Sequence, residues 1–165
     1  MKYLADNKVD IISIQEPYIH QGRATWIDKN YKIFTVGEGR SRKSVIITNW
    51  NVDATQISQH SDEDTITLEV TRGKTAFILG RLYFNRQKSK EQDLAKFDTI
   101  LQHAKRIRVI IAMDSKVRSK TWSDTNTNNC GKHPENYKIW KQLHIMNEPS
   151  TTKPMKAEQT KATSI

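Results

Sequence analysis

Asp10-Ile11-Ile12-Ser13-Ile14-Gln15-Glu16-Pro17-Tyr18 reads as a short apolar strand that ends on an acid, and Arg108-Val109-Ile110-Ile111-Ala112-Met113-Asp114-Ser115 repeats that design much later in the chain. The isoleucines and valine favour extended backbone. In each run the acid falls where strand gives way to loop. A carboxylate there escapes burial yet stands on a rigid element, which suits a group that must hold a hard cation. Glu16 and Asp114 are therefore the first candidate functional residues.

The segments between these runs fit the same plan. Residues 31–36 read as a strand broken at Gly37-Glu38-Gly39, and the β-branched run 44–48 as a buried strand. Residues 64–71 alternate Ile66, Leu68 and Val70 with polar side chains, the pattern of a half-buried strand. Arg72-Gly73-Lys74 makes a tight turn, and residues 75–84 return to complete a hairpin. Residues 90–104 carry Leu94, Phe97, Leu101 and Ala104 at helical spacing, with Ile100 widening the stripe.

The rest is less regular. Residues 1–8 read as the end of a helix and 17–30 as loop. The Ser-, Thr-, Asn- and Asp-rich stretch 114–132 reads as a loop ordered by its function. A short helix over 135–142 and a strand over 143–146 follow, and from Asn147 the chain turns polar and Lys-rich. There are no internal repeats. Strands in antiparallel pairs with a helix between them point to an α+β fold or a layered α/β sandwich.

Length and composition bound the function. The 165 residues make one domain, and with 36% hydrophobic and 27% charged residues its core is thin. The 27 Lys and Arg outnumber the 18 Asp and Glu, for a formal net charge of +9. That excess favours polyanionic partners, nucleic acid first and an anionic membrane second; the plain alternative is a well-solvated surface. Cys130 is the sole cysteine, so an intrachain disulfide is excluded. No stretch approaches the ~18 apolar residues of a membrane span, and the first residues lack the apolar centre of a secretory signal. A nuclear or cytoplasmic location is the default expectation.

Residues 10–18, together with Ile111-Ala112-Met113-Asp114-Ser115 and Arg118-Ser119-Lys120-Thr121-Trp122, resemble one family. It is the endonuclease domain of non-LTR (LINE-type) retrotransposons, especially the insect elements, within the endonuclease/exonuclease/phosphatase superfamily. Gly80-Arg81-Leu82-Tyr83, the helix after it and Leu143-His144-Ile145-Met146-Asn147-Glu148 fall where that family has counterparts. The resemblance implies a four-layer α/β sandwich of two mixed β-sheets flanked by helices. It also implies hydrolysis of a DNA phosphodiester with one Mg²⁺ or Mn²⁺ site, nicking a target so that a reverse transcriptase from the same polyprotein can prime there. Residues 1–148 would form this domain and 149–165 a polar basic tail at the start of a further strand. The family's first strand, bearing an asparagine, and its closing Ser-Asp-His motif have no counterpart here, so the domain is expected to be incomplete at both termini.

The resemblance also assigns roles. Glu16 matches the metal-binding glutamate, and its alternative is a solvated strand-end acid. Asp114 matches the aspartate that positions or deprotonates the attacking water; otherwise it caps the following turn, as Asp commonly does. Tyr83 matches the tyrosine whose hydroxyl reaches the phosphate, against a packing tyrosine at the rim of the core. Ser119 and Trp122 match the loop after the aspartate, with Trp122 packing that loop down. Arg42, Arg118, Ser119 and Lys120 are the favoured DNA contacts because they flank strand ends near the acids. Arg81, Arg86, Lys88, Lys90, Lys105, Arg106 and Arg108 are further phosphate-contact candidates.

Three positions depart from the family. Lys116 stands where an asparagine aligns phosphate and catalytic groups, and Val117 and Cys130 replace a small residue and an arginine. None of His20, His60, His103, His133 and His144 is placed to stand in for the closing histidine. An amide both donates and accepts, whereas an ammonium only donates and carries a full charge. Close to a cation, Lys116 would repel the metal while attracting the substrate phosphate. Impaired catalysis with retained DNA binding is the expectation, and a non-catalytic nucleic-acid-binding remnant is the alternative. Lys116→Asn is predicted to weaken DNA affinity and strengthen Mg²⁺ binding; calorimetric titrations that change in neither respect would count against that role.

Overall fold

The run that reads as a buried strand is the centre of the first sheet. In the computed structural model of the protein, residues 8–17, 29–37, 43–84 and 88–114 are described, the last without the side chains of Lys90 and Asp114. Strands β1 (Ile11–Gln15), β2 (Tyr31–Phe34) and β3 (Ser44–Asn49) form a three-stranded sheet in the order β1-β3-β2, with both pairings antiparallel. Ile46 and Ile47 point to opposite faces of β3, and each is 0% exposed. β3 is therefore covered on both sides, as a central strand of an inner layer must be.

The second sheet contains β4 (Asp53–Gln56), β5 (Thr65–Arg72), β6 (Thr75–Tyr83) and β7 (Arg108–Asp114), in that order across the sheet. β4, β5 and β6 run antiparallel, and β7 joins β6 in parallel, so this sheet is mixed while the first is antiparallel among the described residues. β4, and the 3-10 turn Ser58–His60 after it, carry too few apolar residues to have been anticipated from sequence. The β5–β6 hairpin closes through Gly73-Lys74, with Arg72 opposite Thr75. Gly73 takes φ +61°, which a two-residue hairpin loop with glycine first requires.

Helix α1 (Lys90–Ala104) makes the crossover from β6 to β7. The Ser89 side chain accepts a hydrogen bond from the Gln92 amide, and Glu91 and Asp93 place negative charge in the first turn. Lys105, at φ +51°, ends the helix. The expected stripe is rotated slightly. Phe97, Ile100 and Ala104 are buried, Leu94 and Leu101 are half-buried, and the position one turn before Phe97 belongs to Asp93, also buried.

The thin apolar content is concentrated between the layers. Ile46 of the first sheet packs with Ile66, Leu68, Val70 and Leu79 of the second, and Ile11, Phe34, Val36 and Phe77 close the periphery. β5 is buried on both faces, because Thr65 and Thr67 alternate with its apolar residues and are also covered. Helix, second sheet and first sheet thus make three layers in sequence. The expected fourth layer, the 1–148 boundary and the readings of 1–7, 18–28, 38–42, 85–87 and 115–165 lie outside the described residues.

Gly80 fixes how closely the helix approaches. A Cβ built there would lie 2.6 Å from Ile111 Cδ1, 3.3 Å from Leu82 Cδ1 and 3.9 Å from Ile100 Cδ1. Gly80→Val is predicted to cost about 1–3 kcal/mol by overpacking, read as a lower urea midpoint. Gly80→Ala should cost less, since Ile111 Cδ1 ends a side chain that can turn aside.

Candidate active site

β1 leaves its sheet through a backbone irregularity. Glu16 adopts φ +43°, a left-handed conformation rarely taken by residues other than glycine. Its amide donates to the Lys43 carbonyl at 2.9 Å, which holds the turn against the first sheet. Consecutive residues of a strand point to opposite faces. Gln15 and Glu16 nevertheless reach the same strand of the other sheet: Arg81 Nη2 donates to Gln15 Oε1 at 2.5 Å, and the Tyr83 hydroxyl donates to Glu16 Oε1 at 3.0 Å. Arg81 and Tyr83 are two apart on β6 and share a face. The left-handed turn at Glu16 lets two neighbouring side chains serve that one face.

Tyr83 links this corner to the second acid-bearing strand. In the parallel register of β6 and β7, Tyr83 lies opposite Asp114. Glu16, Tyr83 and the backbone of Asp114 therefore meet at one end of the two described sheets, where β1, β6 and β7 all terminate. Tyr83 itself is buried, whereas the Glu16 side chain is 44% exposed. Lys43 Nζ lies 3.8 Å from Glu16 Oε1, a partly exposed contact that contributes little stability.

A short strap before β5 ties the two sheets together at this end. The Glu63 carbonyl accepts from the amides of Lys43 and Ser44, and the Asp64 carbonyl accepts from the Tyr83 amide and the Ser44 hydroxyl. Two of the strap's three acids are paired with lysines: Lys88 bonds Asp64 at 2.5 Å, and Lys96 of α1 bonds Asp62. Burial raises the Asp62 carboxyl pKa, but the Lys96 hydrogen bond and charge outweigh it and the net shift is downward. The Asp64 hydrogen bond leads the causes that raise the Lys88 pKa. Asp93 shifts the other way. Burial raises its pKa, with Lys96 and Lys88 opposing and Asp64 and Asp62 reinforcing, and its Oδ2 has no hydrogen-bond partner among the described residues.

Of the residues singled out from sequence, Glu16, Tyr83 and the Asp114 backbone come together. Lys116, Arg42, Arg118, Ser119, Lys120 and Trp122 lie outside the described residues. Arg81, a phosphate-contact candidate, is 5% exposed and bonded to Gln15, so it braces the two sheets and is not a surface cation. Lys88 is likewise committed to Asp64. His60 and His103 stack edge to face, ring centroids 4.9 Å apart, between the 3-10 turn and the last turn of α1. Burial and then the neighbouring His103 lower the pKa of His60. No group of three or more His, Cys, Asp or Glu side chains with metal-binding geometry occurs among the described residues. Sequence reasoning missed the Gln15–Arg81 contact, since nothing local marks a surface-type residue as a cross-sheet brace.

No protein-family profile matches the sequence, and no curated protein does. Solved structures do. The endonuclease domain of TRAS1, a telomere-specific non-LTR retrotransposon, matches with a TM-score of 0.78 at 21% identity, over 89% of this chain and 65% of that one. TDP2 of D. rerio complexed with single-strand DNA product gives a TM-score of 0.49 at 19% identity, covering 72% of this chain and 52% of that one. A humanized D. rerio TDP2 gives 0.48 at 18%, covering 72% and 57%. The chain thus has the fold of that endonuclease domain and spans 65% of its length.

Asp93 supplies a pH test of the strap. A carboxyl whose pKa is higher folded than unfolded supports folding fully below its unfolded value and loses that support as pH rises through its folded value. Asp93→Asn is therefore predicted to stabilise the protein at neutral pH and to lose that advantage as pH falls to the ordinary Asp range. Urea unfolding of both proteins across that window, with a pH-independent difference, would contradict it.

Proposed function

We propose that this chain is a DNA endonuclease domain of the non-LTR retrotransposon type, hydrolysing a phosphodiester at a target site with a divalent cation, and that its activity is reduced by Lys116. The supporting observation is Tyr83, whose hydroxyl bonds the exposed Glu16 carboxylate while its backbone lies beside Asp114. The fold shared with the retrotransposon endonuclease domain agrees with it. DNA is the partner in this reading, and the nick would serve a reverse transcriptase of the same polyprotein. No helix among the described residues is long and apolar enough to cross a membrane.

The donor set fits Mg²⁺ or Mn²⁺. Glu16 offers hard carboxylate oxygen on a side chain that is 44% exposed, and Mg²⁺ binds through one or two carboxylates while keeping several waters. Bound there, the cation would offset negative charge on the phosphate oxygens. The remaining work falls to side chains. Tyr83 fixes the Glu16 carboxylate by donating its hydroxyl proton, which limits the rotamers Glu16 can visit. Asp114 orients the attacking water and takes its proton. Lys116, Arg42, Arg118, Ser119 and Lys120 hold the DNA backbone, through charge and hydrogen bonds to phosphate.

A second reading, a non-catalytic nucleic-acid-binding domain, draws on Lys43. Its ammonium stands 3.8 Å from the same Glu16 oxygen, where it partly satisfies the carboxylate without a metal.

Supercoiled-plasmid nicking separates the two. Slow nicking with Mg²⁺, abolished by EDTA, is expected, with Asp114→Asn lowering the rate by about 10²-fold or more. Tyr83→Phe should lower it by roughly tenfold, the value of one hydrogen bond. Binding without any nicking would favour the second reading, and absence of both would sink the proposal.

A further inference from the structure

The end of the sandwich opposite Glu16 carries an unassigned feature. β3 runs from Ser44 at the Glu16 end to Asn49 at the other, and residues 50–52 cross from there into β4 of the second sheet. On that crossing Trp50 is 62% exposed, the most exposed large apolar residue among those described. It lines an open pocket of about 490 Å³ with Lys29, Asn30, Asn49 and Asn51. Its position is built. The Trp50 amide donates to the Asn30 carbonyl at 2.9 Å, and the Asn51 amide donates to Asn49 Oδ1 at 3.0 Å. Lys32 Nζ, donating to the Val52 carbonyl at 2.9 Å, sits 5.3 Å from the ring centroid. One face of the indole thus meets an ammonium, and the rest is left to water.

Cations outnumber acids at this end. The β5–β6 hairpin places Arg72 and Lys74 here, and the entry to β7 places Lys105, Arg106 and Arg108 here. All five are exposed, and no described acid pairs with any of them. Asp10, whose carbonyl accepts from the Asn49 amide, and Asp53, opposite Thr71, are exposed acids at the same end. The line from β4 to β7 crosses three inter-strand spacings, about 14 Å, within the reach of a short oligonucleotide.

We infer that this end is a second nucleic-acid contact: a single strand lays an unpaired base on Trp50 within the asparagine-rich pocket and runs its phosphates over Arg72, Lys74 and Arg108. A lone exposed tryptophan needs no partner, and a basic patch alone fits any polyanion. Together they fit a ligand with both an aromatic face and a charged backbone, and Asn side chains beside the ring can meet a base edge with donor and acceptor. Duplex DNA keeps its bases stacked and does not meet this geometry. The inference is independent of the nicking reaction, since no residue in it belongs to the Glu16 corner.

The test uses the full-length chain and fluorescein-labelled oligothymidylate, followed by anisotropy. Trp50→Ala should weaken binding at least about fivefold, the smaller end of one base–aromatic stack, while Trp50→Phe retains most of it. Arg72→Glu should weaken binding and flatten its salt dependence. An abasic oligonucleotide of equal length should bind the wild type more weakly and be indifferent to Trp50→Ala. Oligouridylate in parallel tells whether RNA or DNA is preferred. Unchanged affinity of Trp50→Ala for oligothymidylate, or equal binding of the abasic strand, overturns the inference. So does a Trp50→Ala defect confined to phosphatidylserine vesicles, which would make the surface a membrane contact.

Discussion

The left-handed turn at Glu16 is the constraint on which the candidate site depends. A regular strand would send Gln15 and Glu16 to opposite faces, leaving one of them unable to reach β6. Holding a non-glycine residue at φ +43° costs of order 1 kcal/mol, and surrounding bonds offset it. The Glu16 amide is fixed to Lys43, Gln15 receives Arg81, and Glu16 receives Tyr83. Strain at this point aims a carboxylate out of the sheet while keeping it on a stiff base.

The two sheets cooperate through few apolar residues. Ile46 and its partners on β5 and β6 form the intersheet core, and Gly80 lets the helix layer close on Ile111 and Ile100. Polar bonds take over near the site, where apolar packing would leave no opening for a ligand. The Arg81–Gln15 contact stands in for a hydrophobic one there, with the charge buried and bonded.

Much of the architecture was legible because it rests on local pattern. The strand at 44–48, the hairpin around Gly73 and the helix at 90–104 follow from β-branched runs, turn residues and helical spacing, and all three occur with bounds shifted by a residue at most. The helix stripe was read slightly off because Asp93 is buried, which no hydropathy pattern predicts. β4 escaped notice because Asp53-Ala54-Thr55-Gln56 owes its strand to pairing with β5, not to its own composition. At the site, Glu16 and Tyr83 were legible as residues, but their hydrogen bond was not. That contact spans two sheets and hinges on a backbone angle that sequence does not encode locally. Arg81 was misjudged for the same reason: a cation read in isolation defaults to solvent.

The strap at Glu63 and Asp64 pins the two sheets to each other. Four main-chain and hydroxyl bonds converge there on two successive carbonyls, joining both sheets beside Glu16. At the other extremity the sheets are joined by the crossing at 50–52, whose tryptophan faces water. Parting the sheets beside Glu16 must break the Lys43 and Ser44 bonds to the strap together, so that corner separates only as a unit.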